Sequence, residues 1–551
     1  MAEKDKGTEG GLKTIVAASA AGTTFEWYDF FIFGALTTII AQNFYAGVSG
    51  TLGTILTLLT FAVGFIARPV GALVFGHIGD KKGRKGTFLW TILVMGIATI
   101  LIGCLPTYAQ AGPIAPILLV ALRVVQGFAL GGEYGGAAIY VAEHAPPNRR
   151  GAYTSWIQSS AAFGLIAALA VILVTRRIVG ETAFAEWGWR LPFLISTGLL
   201  IVSVYIRAKT AESPAFKALH EQGQIAKSPL SEIFTRWSNL KGMLIALFGF
   251  MTAQGVVWYT SFFYTQVFLE KMVRLDPQQK DTLVIGMTLV SAPLYVFFAR
   301  LSDKWGRKPI MIFGIALACL TFFPGFQGLL KFGNPDLDAA YRTAPVHIVA
   351  DPAQCTFQFD LTGTAQFTTA CDLAKSVVSN IGVPYESQVA ASGTATAVVE
   401  IGGRRIDIAS GAGLDKAGIK ALRGKATTDI KAALKAAGYP EKADPKKANL
   451  WAMFGILCVF AFAATALYGP MASALVEMFP TRVRYTAMSL PYNIGTGWFG
   501  GLQPALSFAM VAAAGNIYYG LWYPVITGGL AVLVALIFMK ETKGRDLHTV
   551  E

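Results

Sequence analysis

Roughly a dozen long apolar runs, arranged as two sets of six, divide the chain. Runs of about 20 apolar residues are long enough to cross a bilayer, and a backbone in lipid must satisfy its own polar groups, which a helix does. The windows fall near 14–40, 54–76, 87–106, 114–141, 152–175 and 190–207, and then near 241–268, 281–299, 309–330, 449–476, 486–511 and 521–540. With 54% hydrophobic and only 14% charged residues, the chain is too apolar for a water-soluble globule. The expected class is an all-α membrane protein with twelve transmembrane helices in two six-helix halves. The N-terminal MAEKDKGTEGGLK is polar and mixed in charge, so no cleavable signal is expected and the first run should be the first span.

The net charge of +13 is placed unevenly. Lys and Arg collect in alternate short connections: KKGRK after the second run, PNRRG after the fourth, SDKWGRK after the eighth, PTRVRY after the tenth, and both termini. The excess of positive charge marks cytoplasmic loops, so both termini are expected in the cytoplasm of a multi-pass protein of the cell (inner) membrane. The basic balance is therefore topology, and membrane lipid rather than nucleic acid is the expected surrounding. The chain divides into an N-terminal half, 1–207; an amphipathic cytoplasmic linker, 208–240; helices 7–9, 241–332; a polar insert, 333–447; and helices 10–12, 448–551. The insert follows the ninth span and is expected on the outer, periplasmic face. Within it, ATAVVEIGGRRIDIAS alternates around Gly402-Gly403 as a two-residue hairpin, and LDKAGIKALRGKATTDIKAALKAAGYPEK has helical spacing, which predicts a small α+β module. Cys355 and Cys371 would form a disulfide in that compartment. Cys104, Cys319 and Cys458 lie in apolar runs and read as small buried hydrophobes.

The halves resemble each other. Trp27 and Tyr28 align with Trp258 and Tyr259, but Glu26 and Asp29 meet Val257 and Thr260, and Arg123 meets Leu457. The repeat keeps the aromatics and drops the charge. Intramembrane ionisable residues are costly and generally mark function. Glu26 and Asp29, three residues apart on one helical face, are therefore candidate proton sites coupled to Arg123, which lies at a similar depth in the fourth span. A carboxylate that alternates between a guanidinium and an apolar wall takes up and releases a proton. Arg123, Tyr28, Gln126, Glu133, Tyr134, Gln158, Gln254, Trp258, Tyr259, Tyr492 and Asn493 are candidate substrate contacts. Glycines 127, 131 and 135 recur every four residues and explain close helix packing without chemistry.

GHIGDKKGRK (76–85), RVVQGFALGGEYGG (123–136) and KETKGRDL (540–547) resemble signatures of the major facilitator superfamily. EWYDF in the first span and FPTRVRYTAMSLPYNIGTGWFGG (479–501) resemble its metabolite:proton symporter group, which carries shikimate, 2-oxoglutarate, citrate, and proline with betaine. The resemblance covers the membrane part and not the insert. It implies a proton-coupled symporter that imports a small carboxylate or zwitterion by alternating access, as a monomer, with the proton as coupling ion and no cofactor or metal. It also implies a conformational latch at Asp80, Gly83 and Arg84, repeated at Asp303, Gly306 and Arg307, with Glu143 and Arg150 repeated at Glu477 and Arg484. An uncoupled facilitator of a neutral solute is the alternative within transport. A receptor or enzyme working through the insert is the other, but the insert has one histidine, His347, and no metal-like cluster or nucleophile pattern.

Overall fold

The computed structural model of the protein describes residues 2–45, 50–208, 212, 214–222, 228–356 and 368–547. The first set of helices is α1 (Ala2–Ala35), α2 (Gly50–Lys82), α3 (Arg84–Cys104), α4 (Ile114–His144), α5 (Arg150–Val179) and α6 (Arg190–Ala208). After short helices at Pro214–Glu221 and Pro229–Thr235 come α7 (Trp237–Lys271), α8 (Pro277–Trp305) and α9 (Arg307–Gly333). The insert contributes β1 (Val346–Ala350), α10 (Ala370–Ile381), β2 (Glu386–Val389), β3 (Ala397–Ile401), β4 (Arg404–Ile408) and α11 (Lys416–Ala436). The chain ends with α12 (Leu450–Tyr468), α13 (Arg484–Asn493), α14 (Gln503–Ala514) and α15 (Trp522–Phe538). Among the described residues, nine helices are long and apolar enough to cross a membrane: α3 to α9, α12 extended to Met478, and α15 from Tyr519. The remaining windows, 14–40, 54–76 and 486–511, are occupied by α1, α2 and the α13–α14 stretch.

Packing inside the first half follows its small residues. A Cβ on Gly127 would lie 1.9 Å from the carbonyl oxygen of Gly64, and one on Gly131 would lie 2.1 Å from that of Arg68. Only glycine lets α4 approach α2 so closely. The second half is less regular. Helix α7 contains π-helical turns at Leu247–Met251 and Thr260–Tyr264, and α13 runs on into another at Ile494–Gly500. Such turns release backbone groups from the helical ladder and concentrate at functional sites.

The insert is a four-stranded sheet in the order β2-β1-β3-β4. β3 and β4 pair antiparallel from Ala397–Ile408 to Ile401–Arg404, joined by Gly402 (φ 53°) and Gly403 (φ 82°). Positive φ at both turn positions matches the twist of the strands and favours glycine. The sequence did not reveal β1, α10 and the parallel partner β2, because β2 is exposed along its length and carries no alternation. Cys355 and Cys371 form a disulfide, with their Cα atoms 5.3 Å apart.

The insert is fastened to α7, α9, α12 and the loops at 272–276 and 515–518. Arg274, a non-glycine residue with positive φ (60°), donates to the carbonyls of Pro440 (2.6 Å) and Ile381 (3.0 Å), and its own carbonyl accepts from the Ala443 amide (3.0 Å). The Tyr385 amide donates to Gly515 O at 2.7 Å. The Asn449 amide reaches Phe332 O at 2.8 Å, so the two ends of the insert meet. These anchors all belong to the second half of the chain.

Candidate functional site

Two matching clusters join the halves at the end of the bundle that carries the basic turns. Asp80, at the end of α2, accepts from the amides of Tyr485 (3.0 Å) and Thr486 (2.9 Å) and from the Thr486 hydroxyl (2.8 Å), which caps the start of α13. Asp303, at the end of α8, accepts from the amides of Gly151 (2.9 Å) and Ala152 (2.8 Å) at the start of α5. A carboxylate at a helix N-terminus meets both orphan N–H groups and the positive end of the dipole. Glu143 bridges Arg84 of its own half and Arg484 of the other, the latter at 2.7 Å. Glu477 does the same with Arg307 (3.2 Å) and Arg150 (3.6 Å). The turns between the paired helices need glycine: Gly83 has φ 111° and Gly306 φ 105°, and added Cβ atoms would strike Glu212 and Glu541. Those two acids accept from the amides of Lys85 and of Arg307 and Lys308, at 2.8–3.3 Å.

The buried charges of the first half are arranged otherwise than the sequence suggested. Glu26 pairs with Arg207 (2.7 Å), which also holds Glu133 (2.9 Å) and lies over the Phe88 ring, its guanidinium carbon 3.6 Å from the centroid. This corrects the expected partnership of Glu26 with Arg123. Arg207 sits at the basic end of α6 and reads in sequence as a topology charge, yet it is only 3% exposed because two carboxylates draw it inward. Asp29 accepts from the Ser196 hydroxyl at 2.5 Å, with Thr99 beside it, whose own hydroxyl donates to Met95 O at 3.0 Å. Thr99 accepts from Gln126 (2.7 Å), and Gln126 accepts from Arg123 (2.9 Å). Gln126 and Thr99 thus lie between Arg123 and Asp29. The Arg123 guanidinium lies over Phe33, 4.2 Å from the ring centroid, and borders a small cavity lined by Phe30, Gly64, Met95, Gln126 and Leu130. Tyr28 donates to Pro192 O (2.9 Å). Tyr28, Gln126 and Glu133, expected at the substrate, are engaged inside the first half.

The remaining candidates lie where the halves meet. Tyr134 stacks on Tyr492 with ring centroids 3.7 Å apart, and Gln158 donates to the Tyr134 hydroxyl at 2.7 Å. Tyr492 and Tyr468 share a hydroxyl contact of 3.1 Å. Trp258 donates to Tyr295 (3.0 Å) and lies 6.3 Å from Trp27, while Tyr259 packs edge-on against Phe65 at 5.7 Å. Asn493 donates to the carbonyls of Gly131 and Ser489, both at 2.8 Å, and accepts from Arg68 at 3.0 Å. Gln158 Oε1, Gln254 Oε1 and Ser489 Oγ are buried without hydrogen-bond partners. Buried polar atoms of this kind call for an explanation such as an absent ligand or water.

Arg68 and Arg207 were missed in the sequence. Arg68 had a signal: it lies well inside the 54–76 window, where the intramembrane-charge argument applied to Glu26 and Asp29 holds equally. Pro69 beside it removes an N–H from α2. Arg207 had no comparable signal, because its window ends on it.

The profile of the sugar (and other) transporter family matches residues 14–232 and 413–551. The chain is 35% identical to the proline/betaine transporter of Salmonella typhimurium over 330 residues, 58% of this chain and 65% of that protein's length. It is 35% identical to the inner membrane metabolite transport protein YhjE of Escherichia coli over 332 residues, 59% of this chain and 75% of that protein. It is 36% identical to the E. coli shikimate transporter over 317 residues, 56% of this chain and 71% of that one. The fold is shared with the proton:xylose symporter XylE bound to 6-bromo-6-deoxy-D-glucose, with a TM-score of 0.62, 15% identity and 98% coverage of both chains.

Proposed function

Because the chain belongs to the sugar (and other) transporter family of the major facilitator superfamily, we propose that it is a proton-coupled transporter importing a small organic acid or zwitterionic metabolite by alternating access. In this reading it is not an enzyme. Twelve helices span the inner membrane, the latch and both termini face the cytoplasm, and the insert lies outside. The proline, betaine and shikimate of the relatives' names all carry a carboxylate.

The observation that carries the reading is the buried Glu26–Arg207–Glu133 group beside Asp29. One guanidinium faces two carboxylates, so the group is neutral only when one acid holds a proton. Asp29 is held by the Ser196 hydroxyl, with Thr99 and Gln126 between it and the Arg123 charge. A proton arriving at Asp29 removes a buried charge and changes the demand on Thr99, Gln126 and Arg123, which ties protonation to helices α1, α3 and α4. The latch supplies the second element, a set of contacts between the halves that must part when the cytoplasmic side opens. In each cluster the cross-half bonds are few and charge-assisted, strong enough to hold one conformation and reversible.

The test is uptake of labelled proline, betaine and shikimate into proteoliposomes with and without an imposed pH gradient. Accumulation above equilibrium only with the gradient is expected. Equilibration that ignores the gradient would make the protein an uncoupled facilitator.

A further inference from the structure

We infer that Arg68 receives the substrate's carboxylate, and that it does so by giving up Asn493. The inference rests on the transport reading above and adds a residue and a chemical step to it.

Arg68 is 2% exposed, and its guanidinium crosses from α2 to α13 to donate through Nε to Asn493 Oδ1 at 3.0 Å. Among the buried arginines, Arg84, Arg150, Arg207, Arg307 and Arg484 each pair with a glutamate, whereas Arg68 and Arg123 each bond to a side-chain amide. Of these two, Arg68 is the one whose amide, Asn493, comes from the other half. A guanidinium has five donors in a planar fork that fits a carboxylate, and a neutral amide oxygen meets only part of it. Guanidinium keeps its proton when buried, so the site carries a full positive charge. An uncompensated buried charge is costly to a static fold. It becomes useful when the opposite charge arrives with a ligand.

The surroundings offer acceptors for donor groups elsewhere on such a ligand. Gln158 Oε1, Gln254 Oε1 and Ser489 Oγ are buried and unpartnered. Ser489 lies one turn before Asn493, Gln158 bonds the Tyr134 that stacks on Tyr492, and a Cβ on Gly255, next to Gln254, would lie 2.2 Å from Gly495 O of the same stretch. The Arg68 guanidinium carbon is 5.7 Å from the ring centroids of both Phe65 and Tyr492. From Phe65 the aromatic surface continues through Tyr259 and Trp258 to Trp27, drawing on both halves. A small solute anchored by its carboxylate at Arg68 would lay its apolar body or cationic end on those faces. Arg123 donates to Gln126 and lies over Phe33, both within one half, so it does not bridge the two. The glycines of α4 hold Arg68 in place, since Gly131 abuts its carbonyl.

The exchange has a mechanical consequence. The Arg68–Asn493 bond joins the two halves. A carboxylate that takes the fork releases Asn493 and removes that bond, so loading of the site loosens the contact that must part on the same side.

The experiment is counterflow exchange by the full chain in proteoliposomes, with proline, betaine and shikimate each set against the analogue in which an amide replaces the carboxylate. Wild type is expected to prefer at least one acid over its amide by on the order of 100-fold, the scale of a charged hydrogen-bonded pair. Arg68→Gln should bring that ratio to within a few-fold of one, and Arg68→Lys should keep part of it. Asn493→Asp decides the matter if Arg68→Gln is not recovered folded: its carboxylate should occupy Arg68, raise the melting temperature and raise KM about tenfold by competing with the substrate. A wild-type acid-to-amide ratio in Arg68→Gln, or an unchanged KM in Asn493→Asp, overturns the assignment and leaves transport standing. Failure of wild type to exchange any of the three acids would overturn the carboxylate-transport reading itself, and this inference with it.

Discussion

The latch and the interior of the bundle treat the internal repeat in opposite ways. At the latch, Asp80, Arg84, Glu143 and Arg484 have counterparts in Asp303, Arg307, Glu477 and Arg150, and each cluster takes three members from one half and the fourth from the other. In the interior the repeat fails: Glu26 and Asp29 stand where the second half has Val257 and Thr260, and Arg123 where it has Leu457, all three of these replacements fully buried. Symmetric contacts suit a rocking motion of two similar bodies, which needs equal bonds on either side of the axis. Chemistry needs no such symmetry and is placed once. On the reading proposed above, the difference separates residues that hold a conformation from residues that carry the proton.

The largest effect is expected where the asymmetry is deepest, at Arg207. Arg207→Met leaves Glu26 and Glu133 facing each other without a cation, and removal of one partner of a buried ionic group costs about 3–5 kcal/mol. Uptake should vanish and purified yield should fall steeply. Adding Glu26→Gln and Glu133→Gln should restore yield and melting temperature while transport stays absent. A triple variant no better folded than Arg207→Met would show that the three charges do not act as one group.

Asp29→Asn comes next. Gradient-driven accumulation should be lost while exchange of substrate persists, because the amide preserves shape and cannot carry a proton. Arg123→Ala should also fail, and the pair tests the relay: combined with Asp29→Asn it should be less destabilised than the sum of the single variants, with a coupling of about 0.5–3 kcal/mol typical of residues in one network. Strictly additive losses in thermal stability would mean that Gln126 and Thr99 transmit nothing. Arg123→Lys should still fail, since an ammonium lacks the planar fork that spans Gln126 and the Phe33 face.

These expectations differ in how far they were legible in the chain. Helix positions, the basic turns, the latch residues and the Gly402-Gly403 hairpin could be read from sequence because each rests on local pattern: an apolar window, a charge cluster, a repeated motif, a turn that requires positive φ. The partners of Glu26 could not. Arg207 ends its apolar window and reads there as a topology charge, so nothing in the sequence marked it as a partner, although it meets α4 at Glu133, about 15 Å along that helix from Arg123. The π-helical turns of α7 and α13 were equally hidden, since a shift from one ladder to the next leaves no periodicity over five to seven residues. Arg68 was legible and overlooked, one cation within an apolar window.

Smaller effects should follow at the latch. Asn at position 80 or 303 keeps one accepting oxygen and turns an NH2 towards a backbone N–H, a loss of about 1–2 kcal/mol for a buried hydrogen bond. Transport should fall several-fold in either variant. If the two clusters are equivalent, Asp80→Asn should speed hydrogen exchange at the amides of Tyr485 and Thr486, and Asp303→Asn at those of Gly151 and Ala152, to similar extents. A variant that deprotects both helix starts at once would show that the clusters open together, and the comparison would then concern one latch rather than two.

The insert should matter least to transport, and its anchoring says why. It bonds to the second half through Arg274, Tyr385 and Asn449. If the halves rock as proposed, a body fixed to one of them moves with it and adds no bond that must break. Its ends meet, since the Asn449 amide reaches Phe332 O at 2.8 Å. A linker of about four residues, an ordinary helix-to-helix connection, could therefore replace 335–447 without displacing α9 from α12. We expect such a variant to keep transport within about tenfold of wild type, the loss coming from Arg274. That residue's positive φ costs of order 1–3 kcal/mol, which the bonds to Pro440, Ile381 and Ala443 offset while the insert is present. Adding Arg274→Gly to the linker variant should then recover stability, because glycine adopts that φ freely. In the intact chain the same substitution should destabilise instead, because it removes the two guanidinium bonds. Melting temperatures of the four proteins give the sign directly. A fall with Arg274→Gly in both backgrounds would mean that Arg274 serves the membrane half itself, and the insert could no longer be treated as a passenger on it.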